Sequence, residues 1–173
     1  MNISIRRTSK ADKDRLGALW LALLEEQAAL DDRFGIADDA LERWTNDFPH
    51  WLHDEGRRFL VAEHDGKIIG FLTAQRWSPS PIYKETLEVY ISELYVVPEA
   101  RQQHAGARLV AAVQTWAKSL GASRLRIGIL AANKPGQTFW KQQQAMPFSV
   151  TYTLPLDPSK DVATTRPRHR LGF

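Results

Sequence analysis

The chain has 173 residues, 43% of them hydrophobic and 25% charged, with a formal net charge of +3. That is enough for one domain with a real core and an ordinary composition for a globular protein. It contains no cysteine, which excludes disulfides, thiolate metal sites and a cysteine nucleophile, and no apolar run reaches the length of a membrane span.

In chain order, residues 3–7 alternate apolar and polar and predict a first strand. Thr8 or Ser9 is placed to cap a helix with Asp12 and Asp14 in its first turn, and Leu16, Leu19, Trp20, Leu23, Leu24 and Leu30 fall on its apolar face. A second helix is expected from about Asp38-Asp39, with Leu41, Trp44, Phe48 and Leu52 on its apolar side and Pro49 as a point where it could break. The period then changes to two. Residues 58–63 and 68–77 read as strands joined at His64-Asp65-Gly66-Lys67, because Asp-Gly tolerates the positive φ angles of a tight hairpin. Ser78-Pro79-Ser80-Pro81 marks a loop, and residues 87–97 a third antiparallel strand closed by Pro98.

Leu109, Val113, Trp116 and Leu120 recur at helical spacing, with Gly121 placed to end that helix. Residues 124–130 read as a strand. Asn133 is a candidate cap for a short helix to Gln143, with Pro135 tolerated in its first turn, and residues 148–156 read as a last strand. From Asp157 the sequence is polar, and Arg166, Arg168, His169 and Arg170 make its end basic. We read residues 1–156 as one domain and 157–173 as a basic C-terminal arm. The arm lacks the aromatic-interleaved basic stripe of a nucleic-acid surface, so nucleic acid is not the expected partner. The N-terminus has no apolar signal-peptide core, and a cytoplasmic protein is expected.

The most informative stretch runs from Val96 to Leu109. A strand ends in a long polar turn that opens a helix, and a helix start offers unpaired N–H groups and positive potential suited to a phosphate or pyrophosphate. Arg101 could neutralise phosphate, and Gly106 could let backbone approach a ligand closely; the plainer readings are a solvated arginine and a glycine chosen for packing. His50, His53 and His64 match no metal-ligand spacing, and no metal is expected.

Two motifs, with the element order, resemble the GCN5-related N-acetyltransferase (GNAT) superfamily over residues 2–156. The first is Leu94 to Gly106, similar to the family's strand followed by Arg/Gln-x-x-Gly-x-Gly/Ala. Arg101 takes the first position and Gly106 the last, but His104 stands where the first glycine belongs. The second is Asn133, Phe139-Trp140 and Pro147-Phe148, with Trp140 in the place of a tyrosine and Pro147 in that of a glycine. The resemblance implies an α/β (α+β) fold, a mixed, mostly antiparallel central sheet with helices on both faces, the acyl-CoA N-acyltransferase fold.

The resemblance also implies acetyl-CoA as cosubstrate. Its pyrophosphate would lie on the amides of Gln102, Gln103, His104, Ala105, Gly106 and Ala107. Its pantetheine arm would run along Tyr95, Val96 and Val97, and Asn133 and Trp140 would flank the thioester end. Glu93 would be the general base, with Glu88 a weaker candidate; the plain alternative is a glutamate on a half-exposed strand. If the position of His104 requires a positive φ, histidine is strained there; if it requires only an N–H, histidine is tolerated, and this second case is the expectation. Trp140 is expected to pack rather than act as an acid, since indole only donates a hydrogen bond; Tyr95 and Tyr152 are substitute hydroxyls. Trp20, Trp44, Trp51 and Trp77 could line an acceptor pocket, although large aromatics are more often core. The implied activity is direct acetyl transfer to a primary amine of a small molecule or peptide, with no membrane partner. The alternative is a catalytically degenerate acyl-CoA-binding protein of the same fold. Dimers are common in the family, so a homodimer is a further expectation.

Overall fold

A computed structural model describes residues 2–84, 87–154 and 156. The elements are β1 (Ile3–Arg7), α1 (Lys13–Leu30), α2 (Ala40–His53), β2 (Arg57–His64), β3 (Lys67–Trp77), β4 (Glu88–Val96), α3 (Ala105–Ser119), β5 (Leu125–Ile127) and α4 (Lys134–Gln142). Among the described residues the five strands form one sheet in sequence order. β1 to β4 are antiparallel, and β4 and β5 pair parallel. The expected mixed, mostly antiparallel sheet is therefore present.

Alternation along the strands sends side chains to two cores. Leu60, Ala62, Leu72, Ala74, Val89 and Ile91 pack against α3 and Trp140 of α4. Phe59, Val61, Phe71, Tyr95 and Val97 pack against Leu16, Leu19, Leu23, Trp44 and Phe48 of α1 and α2. Helices cover both faces, as a sheet with two apolar faces requires.

Two features of β4 set up the site. Thr73 faces Glu93 while Ala74 faces Ile91, which leaves Ser92 as an extra, unpartnered residue, a β-bulge. Beside it, the parallel pairing with β5 covers only Val89–Leu125, Tyr90–Arg126 and Ile91–Ile127. Among the described residues the β5-facing edge of β4 is open beyond Ile91.

Three sequence expectations need correction. Pro49 does not break α2, which continues to His53. The proline is exposed, and burial of Trp44 and Phe48, worth about 1.5–3 kcal/mol each, outweighs one lost helical bond. β5 is three residues long rather than seven, because it stops where β4 bulges away from it. Residues 148–154 and 156 form no strand. Their alternation is real, but alternation fixes only which side chains share a face; a strand also needs a paired edge, and among the described residues none pairs with this segment. The basic arm 157–173 lies outside the described residues.

Candidate active site

The open edge of β4 can be read residue by residue. The Val89 N–H donates to Arg124 O on the β5 side, and the Val97 N–H donates to Ile69 O on the β3 side. Without the bulge these two odd-numbered residues would point the same way. The extra residue at Ser92 shifts the alternation, so the backbone groups of Leu94 and Val96 face the open edge. This edge leads into a short 3-10 turn, Pro98–Ala100, and then to α3.

The start of α3 has no side-chain cap. Its first helical bond at the N-terminus runs from the Arg108 N–H to His104 O, leaving the amides of His104, Ala105, Gly106 and Ala107 without helical partners. Gln102 and His104 have φ of 66° and 65°. The expectation for His104 is thus corrected: the position does take positive φ, and histidine occupies the left-handed region at a cost of about 1–2 kcal/mol. The gain is a tight turn that gathers successive N–H groups at the end of the open β4 edge. These residues fit a pyrophosphate followed by an extended amide-bearing arm.

Arg101 is placed differently from its sequence reading. Its guanidinium donates to Val96 O at 2.9 Å and to Glu26 Oε1 at 2.5 Å, and lies 5.6 Å from the Tyr95 ring centre. Arg101 thus ties the C-terminal end of β4 to α1. Gly106 serves packing: a Cβ there would lie 3.1 Å from Cε2 of Phe139 in α4.

Glu93 lies on the α1–α2 face of β4, about 10 Å along the strand from Val96. Its two oxygens accept separate hydrogen bonds, from Trp20 Nε1 of α1 at 2.8 Å and from Thr73 Oγ1 of β3 at 2.6 Å. It stands at the edge of an open cleft lined by Trp51, Phe59, Thr73, Gln75 and Ser92, about 430 Å³ when counted out into solvent. Arg57 at the rim lies over Trp51 and is paired with Asp54 at 3.1 Å. A carboxylate has about four lone-pair sites, so Glu93 can be held by two donors and still accept a proton.

The remaining expected residues divide clearly. Asn133 Oδ1 caps α4 by accepting the Gly136 N–H at 2.8 Å. Trp140 is buried, with its ring 5.0 Å from that of Phe139 and edge-on to it. Tyr95 is buried on the α1–α2 face, where its hydroxyl donates to Glu26 at 3.3 Å and burial pushes its pKa up. Tyr152 is almost fully exposed. Glu88 is 2% exposed and held by Arg124 at 3.0 Å and Arg126 at 3.5 Å, an ion-paired position unsuited to a base. Among the tryptophans Trp51 lines the cleft, Trp20 holds Glu93, and Trp44 is core. Sequence reasoning missed Thr73 and the role of Trp20. Thr73 meets Glu93 through the register between β3 and β4, which no turn signal in the sequence sets, and no signal in the sequence pairs Trp20 with Glu93.

The model of the acetyltransferase (GNAT) family matches residues 20–145, which contain β2 to β5, most of α1 and all of α2 to α4. The chain belongs to this family. An uncharacterized N-acetyltransferase of Mycobacterium tuberculosis is 31% identical over 93 residues, 54% of this chain and 55% of that protein. The phosphinothricin N-acetyltransferase of Alcaligenes faecalis is 39% identical over 57 residues, 33% of this chain and 27% of that protein. The chain thus spans about half the length of the first of these relatives and less of the second. Among solved structures, a Bacillus halodurans protein superposes with a TM-score of 0.78 at 18% identity, covering 88% of this chain and 99% of the other. The aminoglycoside N-acetyltransferase AAC(6′)-Iy in complex with CoA gives 0.73 at 21% identity, covering 89% and 94%. These likenesses show the GNAT fold. No helix among the described residues is long and apolar enough to cross a membrane.

Proposed function

We propose that this GNAT-family chain transfers an acetyl group from acetyl-CoA to the primary amine of a small molecule or peptide, by direct attack. The observation that carries the reading is the open edge of β4 beyond Ile91, running straight into the uncapped start of α3. Aminoglycoside and phosphinothricin acetyltransferases among the similar proteins support a small-molecule amine. The absence of cysteine fits action in the cytoplasm. Residues 1–156 would form the catalytic domain, with 157–173 as an appended basic arm.

Acetyl-CoA, when bound, supplies a thioester carbonyl activated for attack. The amides of Gln102 to Ala107 hold the pyrophosphate, and the Val96 N–H on the open edge of β4 pairs with the pantetheine arm as an added strand would, the Val96 carbonyl being held by Arg101. The Leu94 N–H, on the same edge but further from α3 and next to Glu93, would donate to the carbonyl oxygen as negative charge develops there. The acceptor amine enters from the cleft. Glu93 takes its proton, directly or through one water, so that the nitrogen has a free pair to attack with. The C–N bond forms, the C–S bond breaks, and the sulfur leaves as thiolate; a thiol pKa of about 8.5 makes this departure feasible without an acid. Trp140 packs beneath the site and donates no proton in this scheme. The strained His104 and the absent tyrosine favour the second reading, a CoA-binding protein that no longer catalyses.

A thiol-release screen with acetyl-CoA against amines, amino acids, polyamines and aminoglycosides separates the two. Amine-dependent release is the expected result. CoA binding without release for any amine would establish the degenerate reading instead.

A further inference from the structure

β4 and β5 run side by side only as far as Ile91–Ile127 and then part. Continued by one step, that register sets Gly128 opposite Ser92. Tyr90 stands two residues before this point on β4, paired with Gln75 of β3 and Arg126 of β5. Ile91 belongs to the core under α3, so alternation puts the Tyr90 side chain on the other face of the sheet, with Thr73 and Glu93. Its phenol leans forward along the strand and across to β5. A Cβ added to Gly128 would lie 2.8 Å from the Tyr90 hydroxyl oxygen, well inside van der Waals contact. The half-buried phenol therefore spans the two strands where they part, and glycine at position 128 makes room for it.

The direction of the pantetheine arm gives this contact its meaning. With the pyrophosphate at the start of α3, the arm passes Val96 first and Leu94 next, against the direction of β4. Its acyl end then points into the notch where β5 joins β4. An acyl oxygen on the Leu94 N–H lies two residues, ~7 Å, from the level of Ser92 and Gly128. A carbonyl carbon and one methyl, in van der Waals contact with the phenol at ~3.5–4 Å, fill that interval. Each further methylene would have to enter space that the phenol already occupies.

We propose that Tyr90, lying over Gly128, sets the length of the acyl group: it closes the notch between β4 and β5 behind a two-carbon acyl chain and excludes longer ones. The inference rests on the reading that acyl-CoA lies along the open edge of β4. Tyr90 acts here by its bulk and takes no part in proton transfer; Glu93, held by Thr73 on the β3 side of the same strand, remains the base.

Calorimetry with CoA thioesters tests this on the full chain without any acceptor amine. The wild type should bind butyryl-CoA about ten-fold more weakly than acetyl-CoA, the usual penalty for forcing methylenes into filled space, and hexanoyl-CoA no better. Tyr90→Ala should bring the three affinities within about three-fold of one another, with acetyl-CoA affinity and circular dichroism retained. Tyr90→Leu keeps apolar cover on the sheet but is too short to reach Gly128. It should relieve the penalty on butyryl-CoA in the same way, and it serves as the test if Tyr90→Ala does not fold. Equal affinities of the wild type for acetyl- and butyryl-CoA would overturn the proposal while leaving the reading of the β4 edge intact. Discrimination that survives in a folded Tyr90→Ala or Tyr90→Leu would overturn it too. A wild type that binds no CoA thioester at all would refute the reading of the β4 edge itself, and the role of Tyr90 with it.

Discussion

At the scale of single residues, the account turns on Glu93 and His104. Glu93 is fixed from two elements, by Trp20 of α1 and Thr73 of β3, so its carboxylate has little freedom to turn away from the cleft. Replacing it by glutamine keeps the shape and removes the proton acceptor. Glu93→Gln should lower kcat by about a hundred-fold, the lower end of general-base effects, with acetyl-CoA affinity unchanged. The loss should shrink at high pH, where more of the amine is already neutral. A loss equal at every pH, or none, would make Glu93 structural. His104 sits at φ 65° where glycine carries no Cβ penalty. His104→Gly should therefore stabilise the protein by about 1 kcal/mol, which is a rise in Tm of roughly 2–4 °C for a chain of this size. Thermal denaturation of the variant checks this, and a lower Tm would show that the imidazole makes a compensating contact.

At the scale of elements, β1 and α1 are joined by a polar clamp that holds α1 over the sheet. Arg6 of β1 donates two bonds to Asp12, at 2.8 and 2.9 Å, and one to Glu63 of β2 at 2.9 Å. Asp12 also accepts the Ser9 N–H at 2.7 Å and the Ser9 hydroxyl at 2.9 Å. The Arg6 guanidinium, aided by Ser9, lowers the Asp12 pKa from 3.8 to about 2. A folded-state pKa below the unfolded one means that the unfolded chain binds more protons in this interval. The clamp's contribution is thus full above about pH 4 and lost as pH falls through about 2, and it amounts to roughly 2 kcal/mol. Asp12→Asn should lose about that much stability at neutral pH, and its stability should fall less steeply than the wild type's between those values. Urea unfolding at a series of pH values measures both. A parallel pH dependence in the two proteins would mean that Asp12 is not the group titrating.

At the scale of the whole molecule, the element order was legible because most elements carry a strong periodic signal. The hairpin at Asp65-Gly66, the capping role of Asn133 and the helix of Leu109, Val113 and Trp116 depend on residues close together in sequence. The bulge at Ser92 was not legible, since it arises from the register between β3 and β4, and it is the feature that opens the edge of β4. Residues 148–156 were misread because their alternation says nothing about whether a neighbour is present. In the candidate site, the position of Glu93 and the helix-start turn could be named from the sequence. The engagement of Arg101 with Glu26 could not, because the two residues are brought together only by α1 crossing the sheet. The central claim is that the open β4 edge and the uncapped start of α3 together bind acetyl-CoA. Isothermal titration calorimetry with acetyl-CoA tests it most directly, on the wild type and on Ala107→Glu. Ala107 is the third residue of α3, where a glutamate can satisfy the free amide at the helix start while repelling phosphate. The account predicts micromolar binding by the wild type, and loss of binding by Ala107→Glu with Tm maintained. No heat from the wild type at high protein concentration, or undiminished binding by a folded Ala107→Glu, would contradict it.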